Sequence, residues 1–271
     1  VNILAARALL PIISLSQQVE SWARTKEANN TISRIKKIPL VNPDGTGINK
    51  DTIELELRDI NFTYPFAHLP IFDRLNVTVG PGEILCVYGG NGTGKTTLAK
   101  ILCGLILPSS GDIFVDGINL QQISSTWWFN KIVYLPQEPD FINDTLRNNF
   151  STYNPDLGAN DIHQLLGRVD LLTLTDENPE GLDQKIKNNG RRLSLGVRRR
   201  LALARALCHD GVLAILDEPT EGMDPKGAST VYNVMNELAE RKCTMVVFSH
   251  DRNIVRGANH FLNLGEKKVL S

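Results

Sequence analysis

Two rhythms of apolar residues divide the chain. Alternation in residues 52–57 (Thr-Ile-Glu-Leu-Glu-Leu) and 75–79 (Leu-Asn-Val-Thr-Val) puts every second side chain on one face, which predicts half-exposed antiparallel strands. Residues 111–118 read as another short strand with turns. Three runs behave differently: residues 132–135, 212–216 and 244–248 are apolar almost throughout, as expected for strands covered on both faces of a parallel sheet with helical crossovers. Between about Asn143 and Asn189 the text turns polar and helix-like, so a separate helical subdomain is expected at about 143–195. No internal repeat or low-complexity tract interrupts this order.

The first fifty residues follow another pattern. Residues 1–14 are apolar but broken by Arg7 and Pro11, and fall short of the roughly 20 residues that cross a bilayer. With no basic leader and no small-residue cleavage site they make a poor signal peptide. The chain opens on Val1 rather than Met, which predicts a segment of something longer. Beyond Ser14, Leu15, Val19 and Trp22 fall at helical spacing. That stretch, to Ile38, reads either as an ordinary amphipathic helix or as the cytoplasmic end of a membrane-spanning one. Pro39, Pro43, Gly45 and Gly47 predict a linker over 39–50, with a domain boundary near residue 50.

Chemistry enters at residue 89. Gly89, Gly90, Asn91, Gly92, Thr93, Gly94, Lys95 and Thr96 form a complete phosphate-binding loop, between the apolar run 84–88 and a helix-compatible stretch carrying Leu98, Ile101, Leu102 and Leu105. Glycines let backbone N–H groups curl around phosphates, Lys95 reaches the outer phosphates, and the Thr96 hydroxyl, with Thr97 beside it, faces Mg²⁺. A nucleoside triphosphate is the expected ligand. A second constellation is Asp217-Glu218, delivered by an apolar strand at the edge where ligands of parallel sheets sit. Alone it is often a solvated strand end. Beside a phosphate loop, Asp217 would hold the Mg²⁺ shell and Glu218 would orient and polarise the attacking water, because phosphoryl transfer needs positioning and charge neutralisation above all.

Charge and cysteines exclude more than they establish. A formal net charge of -1 gives no electrostatic reason to expect nucleic acid, so the run Arg198, Arg199, Arg200 reads as a solvated helix face. Cys86, Cys103, Cys208 and Cys243 form no CxxC pair and read as buried, reduced thiols of a cytosolic domain.

The stretch Leu193-Ser194-Leu195-Gly196-Val197, followed by the basic, alanine-rich residues 198–207, makes a family resemblance specific. Over about residues 51–271 the chain resembles an ATP-binding cassette nucleotide-binding domain, whose signature reads LSGGQ. The resemblance implies an α/β fold: a RecA-like P-loop NTPase core with an antiparallel β subdomain and a helical signature subdomain, here preceded by an N-terminal helical segment. It also implies an ATPase using ATP and Mg²⁺, with Lys95, Glu218 and His250 catalytic. Tyr64 matches the aromatic that stacks on adenine, although alone it reads as a strand-end core aromatic. Gln137 matches the glutamine that senses Mg²⁺, so Thr96, Gln137 and Asp217 would face the metal. His250 matches the histidine that contacts the γ-phosphate.

In this family two domains pair head to tail, so Ser194 and Gly196 of one would close over the phosphate loop of the other, and Asp224 would lie in the loop crossing between them. Departures stand at Leu195, where the signature has glycine, at Val197, where it has glutamine, and at Glu221, where exporters commonly have serine. Leu195 is expected to crowd the backbone approach to a bound phosphate. The pattern at residues 5–11, with helix and linker following, resembles the junction in bacterial type I secretion exporters. This implies residues 1–38 as the end of a transmembrane domain of the same polypeptide, a place on the cytoplasmic face of the bacterial inner membrane, and protein or peptide cargo. Half-transporters for lipids, drugs or thiols, and a degenerate regulatory subunit of a heterodimer, are the alternatives.

Overall fold

The computed structural model describes residues 42, 44–266 and 268–270. The expected helical segment at 1–38 and linker residues 39–41 and 43 lie outside the described residues. Among those described, no helix is long and apolar enough to cross a membrane.

Alternation yields the first sheet. Strands β1 (Leu55–Phe62), β2 (Phe72–Val79), β4 (Ser110–Val115) and β5 (Ile118–Asn119) pair antiparallel in the order β2-β1-β4-β5. Leu55 faces Val79 on one side and Val115 on the other, all three fully buried. The alternation breaks at Asp59, whose φ of 48° marks a bulge between Leu57 and Ile60. That extra residue keeps Leu57 and Ile60 on the same inward face. Gly111 sits against the bulge at φ 89°, where a Cβ would lie 2.3 Å from the Asp59 carbonyl oxygen, so only glycine fits.

The continuous apolar runs yield the second sheet. Here β3 (Ile84–Tyr88), β6 (Ile132–Leu135), β7 (Leu213–Asp217), β8 (Thr244–Phe248) and β9 (His260–Asn263) run parallel, with β10 (Lys268–Leu270) antiparallel at one edge, in the order β10-β9-β3-β8-β7-β6. Because side chains alternate across a strand, β7 serves two cores. Leu213 and Ile215 join one with Leu85, Leu98, Phe248 and the first sheet; Ala214 and Leu216 join another with Phe150, Leu166, Leu201 and Val234.

Helices cover both faces. Helix α1 (Lys95–Leu102) follows β3, and α2 (Ser125–Asn130) precedes β6. The polar stretch predicted as helical contains α3 (Leu146–Ser151), α4 (Ala159–Arg168) and α5 (Thr173–Asp176). Helix α4 forms because Asp161 accepts the Gly158 N–H at 2.8 Å, while Ile162, Leu165 and Leu166 stack on one buried face. Helices α6 (Leu195–Ala206), α7 (Pro225–Glu240) and α8 (Arg252–Gly257) complete the order.

The chain from Asn42 onward is one compact unit. Thr46 donates its N–H to Gln122 O at 2.9 Å and accepts from Ser124 N–H at 2.9 Å, and Ile48 is buried. Residues 44–50 of the expected linker thus include a backbone bridge to this unit. A backbone bridge needs no apolar pattern, so the proline and glycine signals concealed it. All four cysteines are free and buried; burial pushes the Cys208 and Cys243 thiols up to about 12.

Candidate nucleotide site

Strand β3 ends at Tyr88, and the glycine loop carries the chain into α1. Gly94 makes the turn possible at φ 103°, where a Cβ would approach Ile71 Cγ2 to 2.4 Å and the Phe72 ring to 2.8 Å. Lys95 therefore opens the helix, and β7 delivers Asp217 and Glu218 opposite it. The result is a cleft of about 820 Å³ with Lys95, Thr96, Gln137, Glu218 and His250 on its walls and Tyr64 at its rim. Gly90, Asn91, Gly92, Gly94 and Thr97 line it as well, while Thr93 bonds back to Gly90 O at 2.9 Å and packs where a Cβ on Gly89 would stand.

Its polar groups are tightly cross-bonded. Lys95 Nζ donates to Gly89 O at 2.9 Å and lies 3.0 Å from Glu218 Oε1. His250 Nε2 lies between the same Gly89 carbonyl oxygen, 3.0 Å away, and Lys95 Nζ, 3.3 Å away: with hydrogen on Nε2 it donates to the first, and in the other tautomer it accepts from the second. Glu218 holds a backbone φ of 48°, fixed by its N–H donated to Phe248 O at 2.8 Å. A buried non-glycine residue in this region is strained, and such strain clusters at functional sites.

Asp217 is 1% exposed. Burial pushes its carboxyl up from the usual range, partly offset by the Thr96 hydroxyl donated to Oδ2 at 2.9 Å. The other oxygen, Oδ1, is buried without a hydrogen-bond partner. An orphaned carboxylate oxygen beside a hydroxyl fits a hard divalent cation such as Mg²⁺. Among the described residues no group of three His, Cys, Asp or Glu could hold a metal ion, so hydroxyl, amide and phosphate oxygens would complete the shell.

Tyr64 is more than a core aromatic. It is 40% exposed at the cleft mouth, crossed edge-on by Phe62 with centroids 4.9 Å apart, and its hydroxyl lies 3.0 Å from Thr97 Oγ1. Ser194, Gly196 and Asp224 do not line this cleft. Ser194 Oγ accepts the Val197 N–H at 3.3 Å and caps α6, which leaves its hydroxyl hydrogen free to donate. Asp224 caps α7 by accepting the Gly227 N–H at 3.0 Å, just before Pro225. A Cβ at Gly196 would meet nothing within 4 Å, so nothing among the described residues requires glycine there.

One residue gains a partner within the chain, and one expectation changes. The Leu195 side chain lies against its own chain: a Cβ on Gly222 would be 3.0 Å from Leu195 Cδ2, and Gly222 sits at φ 66°. The arginine run is not a uniformly solvated face, because Arg199 is 3% exposed. Its guanidinium donates to Gln137 O from Nε at 3.3 Å and from Nη2 at 3.2 Å, to Glu221 O, and to Glu221 Oε2 at 3.1 Å. Arg199 and the Gln137 amide hold the Glu221 carboxyl below its ordinary range. Sequence reasoning missed Arg199, although position 199 falls on the helical stripe of Leu203, Ala202 and Ala206 that α6 buries. It also missed Asp251, which faces the cleft and accepts from Thr220 at 2.8 Å and Tyr232 at 2.5 Å.

Residues 72–221, more than half of the chain, match the family model for ABC transporters. The chain is 32% identical over 231 residues to an ATP-dependent lipid A-core flippase of Burkholderia orbicola, covering 84% of this chain and 38% of that protein. It is 30% identical over 256 residues to the glutathione/L-cysteine transport system ATP-binding/permease protein CydC of Escherichia coli, covering 93% of this chain and 44% of that one. It thus spans less than half the length of these relatives. A solved bacterial Atm1-family ABC exporter with ATP bound superposes with a TM-score of 0.79 at 20% identity, over 89% of this chain and 43% of that structure. The chain belongs to the ABC transporter family and is its nucleotide-binding ATPase domain.

Proposed function

We propose that this domain hydrolyses MgATP to drive export through a transmembrane domain of the same polypeptide, at the cytoplasmic face of a bacterial inner membrane. The carrying observation is the convergence of Lys95, Thr96, Glu218 and His250 in one cleft, with Asp217 buried behind it and bonded to Thr96. Lys95 and the loop N–H groups bind the phosphates, while Tyr64 offers its ring to the adenine. Thr96, Asp217 and Gln137 hold Mg²⁺, which neutralises phosphate charge when bound. Glu218 orients the attacking water, and the His250 Nε2–H can turn from Gly89 O to a γ-phosphate oxygen. Phosphate oxygens compete with Glu218 for Lys95, so nucleotide entry frees the carboxylate for water.

Ser194 and Gly196 serve a second subunit paired head to tail, identical or related. The support is that, among the described residues, neither lines the chain's own cleft, the Ser194 hydroxyl hydrogen stays available, and glycine at 196 answers no contact. The Asp224 loop crosses between the two sites. Nucleic acid has no role in this reading. Protein secretion, suggested by residues 5–11, gains no support from the relatives, which are named for a lipid and for thiols. Cargo of those smaller classes is the better reading.

The test is turnover of the transporter carrying Glu218→Gln beside the parent. Loss of turnover with ATP binding retained supports the assignment. The altered signature favours a second reading, a non-hydrolysing regulatory cassette. Equal, negligible rates in parent and variant would establish it.

A further inference from the structure

Glu221 stands where the family resemblance has serine, and it faces the cleft. Its carboxylate is anchored from behind by Arg199, a buried guanidinium that also grips the backbone carbonyls of Gln137 and Glu221. In front, Gln137 Nε2 donates to the same Glu221 Oε2 at 3.3 Å. A carboxylate paired with arginine is ionised and accepts only, so the nitrogen of the Gln137 amide must face it. The amide oxygen is thereby turned away from Glu221.

We infer that Glu221 is a positioning residue: held by Arg199, it fixes the amide orientation of Gln137 so that Oε1 is presented as a metal ligand. The inference rests on the reading of Gln137 as a Mg²⁺-facing residue. Serine, with a much shorter side chain, would not reach Gln137 in the same way, and the amide would lose its fixed sense. Outer groups that orient a metal's ligands typically change metal affinity or activity about 10- to 100-fold when removed.

The test compares ATP affinity with Mg²⁺ and with EDTA, followed by fluorescence of a labelled ATP on the intact chain, so that the ratio isolates the metal's contribution. Glu221→Ser should lower that ratio about 10-fold, Gln137→Ala should lower it as much, and the double variant should fall no further. Glu221→Gln, which keeps an acceptor oxygen at that reach, should restore most of it. A purely structural role would weaken both affinities together and leave the ratio fixed. Should Gln137→Ala shift the ratio while Glu221→Ser leaves it at the parent value, Glu221 does not position the amide. If Gln137→Ala itself has no effect, the reading of Gln137 fails, and this inference with it.

Discussion

The phosphate-loop cleft and the signature end of α6 solve opposite problems. The cleft is assembled from strand ends of a sheet buried on both faces, and its polar groups are bonded to one another: Lys95 to Gly89 and Glu218, Thr96 to Asp217, His250 to Gly89. Of the motif atoms discussed there, Asp217 Oδ1 alone is buried without a partner. The signature end instead presents what its own chain leaves unused, a capping hydroxyl with a spare hydrogen and a glycine with open space beside it. One region is complete as chemistry awaiting a substrate. The other, on the reading proposed above, is the surface offered to a second subunit.

Breaking the cleft should have the larger consequences. Glu218→Gln should lower turnover by about 10²- to 10⁴-fold, the usual contribution of a positioned acid-base group, with ATP binding equal or tighter because Lys95 loses a competitor. Lys95→Ala should weaken MgATP binding about 10- to 100-fold by calorimetry, from loss of a charge-assisted contact of about 1.5–3 kcal/mol. Binding equal to the parent would remove Lys95 from the site. Gly94→Ala should lower unfolding free energy by about 2–3 kcal/mol in a denaturant titration, since its Cβ meets Ile71 and Phe72 at a backbone angle that disfavours any side chain. An unchanged midpoint would show that the turn relaxes.

At the signature end the effects should be smaller. Leu195→Gly should cost less than about 1 kcal/mol of stability, since Leu195 opens its helix and the full glycine penalty belongs to helix interiors. If Leu195 crowds the partner's phosphate, the variant should also raise ATPase activity in a homodimer. Since the side chain rests on Gly222 of its own chain, unchanged turnover would show that this packing already relieves the crowding.

The same contrast governs what could be read in advance. The glycine loop, Asp217-Glu218 and the parallel strands were legible because each is local: spacing and apolar runs suffice to announce them. Arg199 was hidden because its burial depends on two loops, around Gln137 and Glu221, that only tertiary structure brings to α6. Strand β9 was hidden because His260 and Asn263 flank a single apolar pair, too short to announce a strand, and pairing with β3 is what makes it one. The Leu195–Gly222 contact was hidden for the same reason, since it joins two segments far apart in sequence.

On the proposed reading this chain holds half of a site closed by a second subunit, with ATP as the adhesive. The decisive experiment is sedimentation of the Glu218→Gln chain with and without MgATP. A dimer is expected only with MgATP, abolished by adding Lys95→Ala. A chain that stays monomeric at saturating MgATP, with binding confirmed in the same sample, would contradict it.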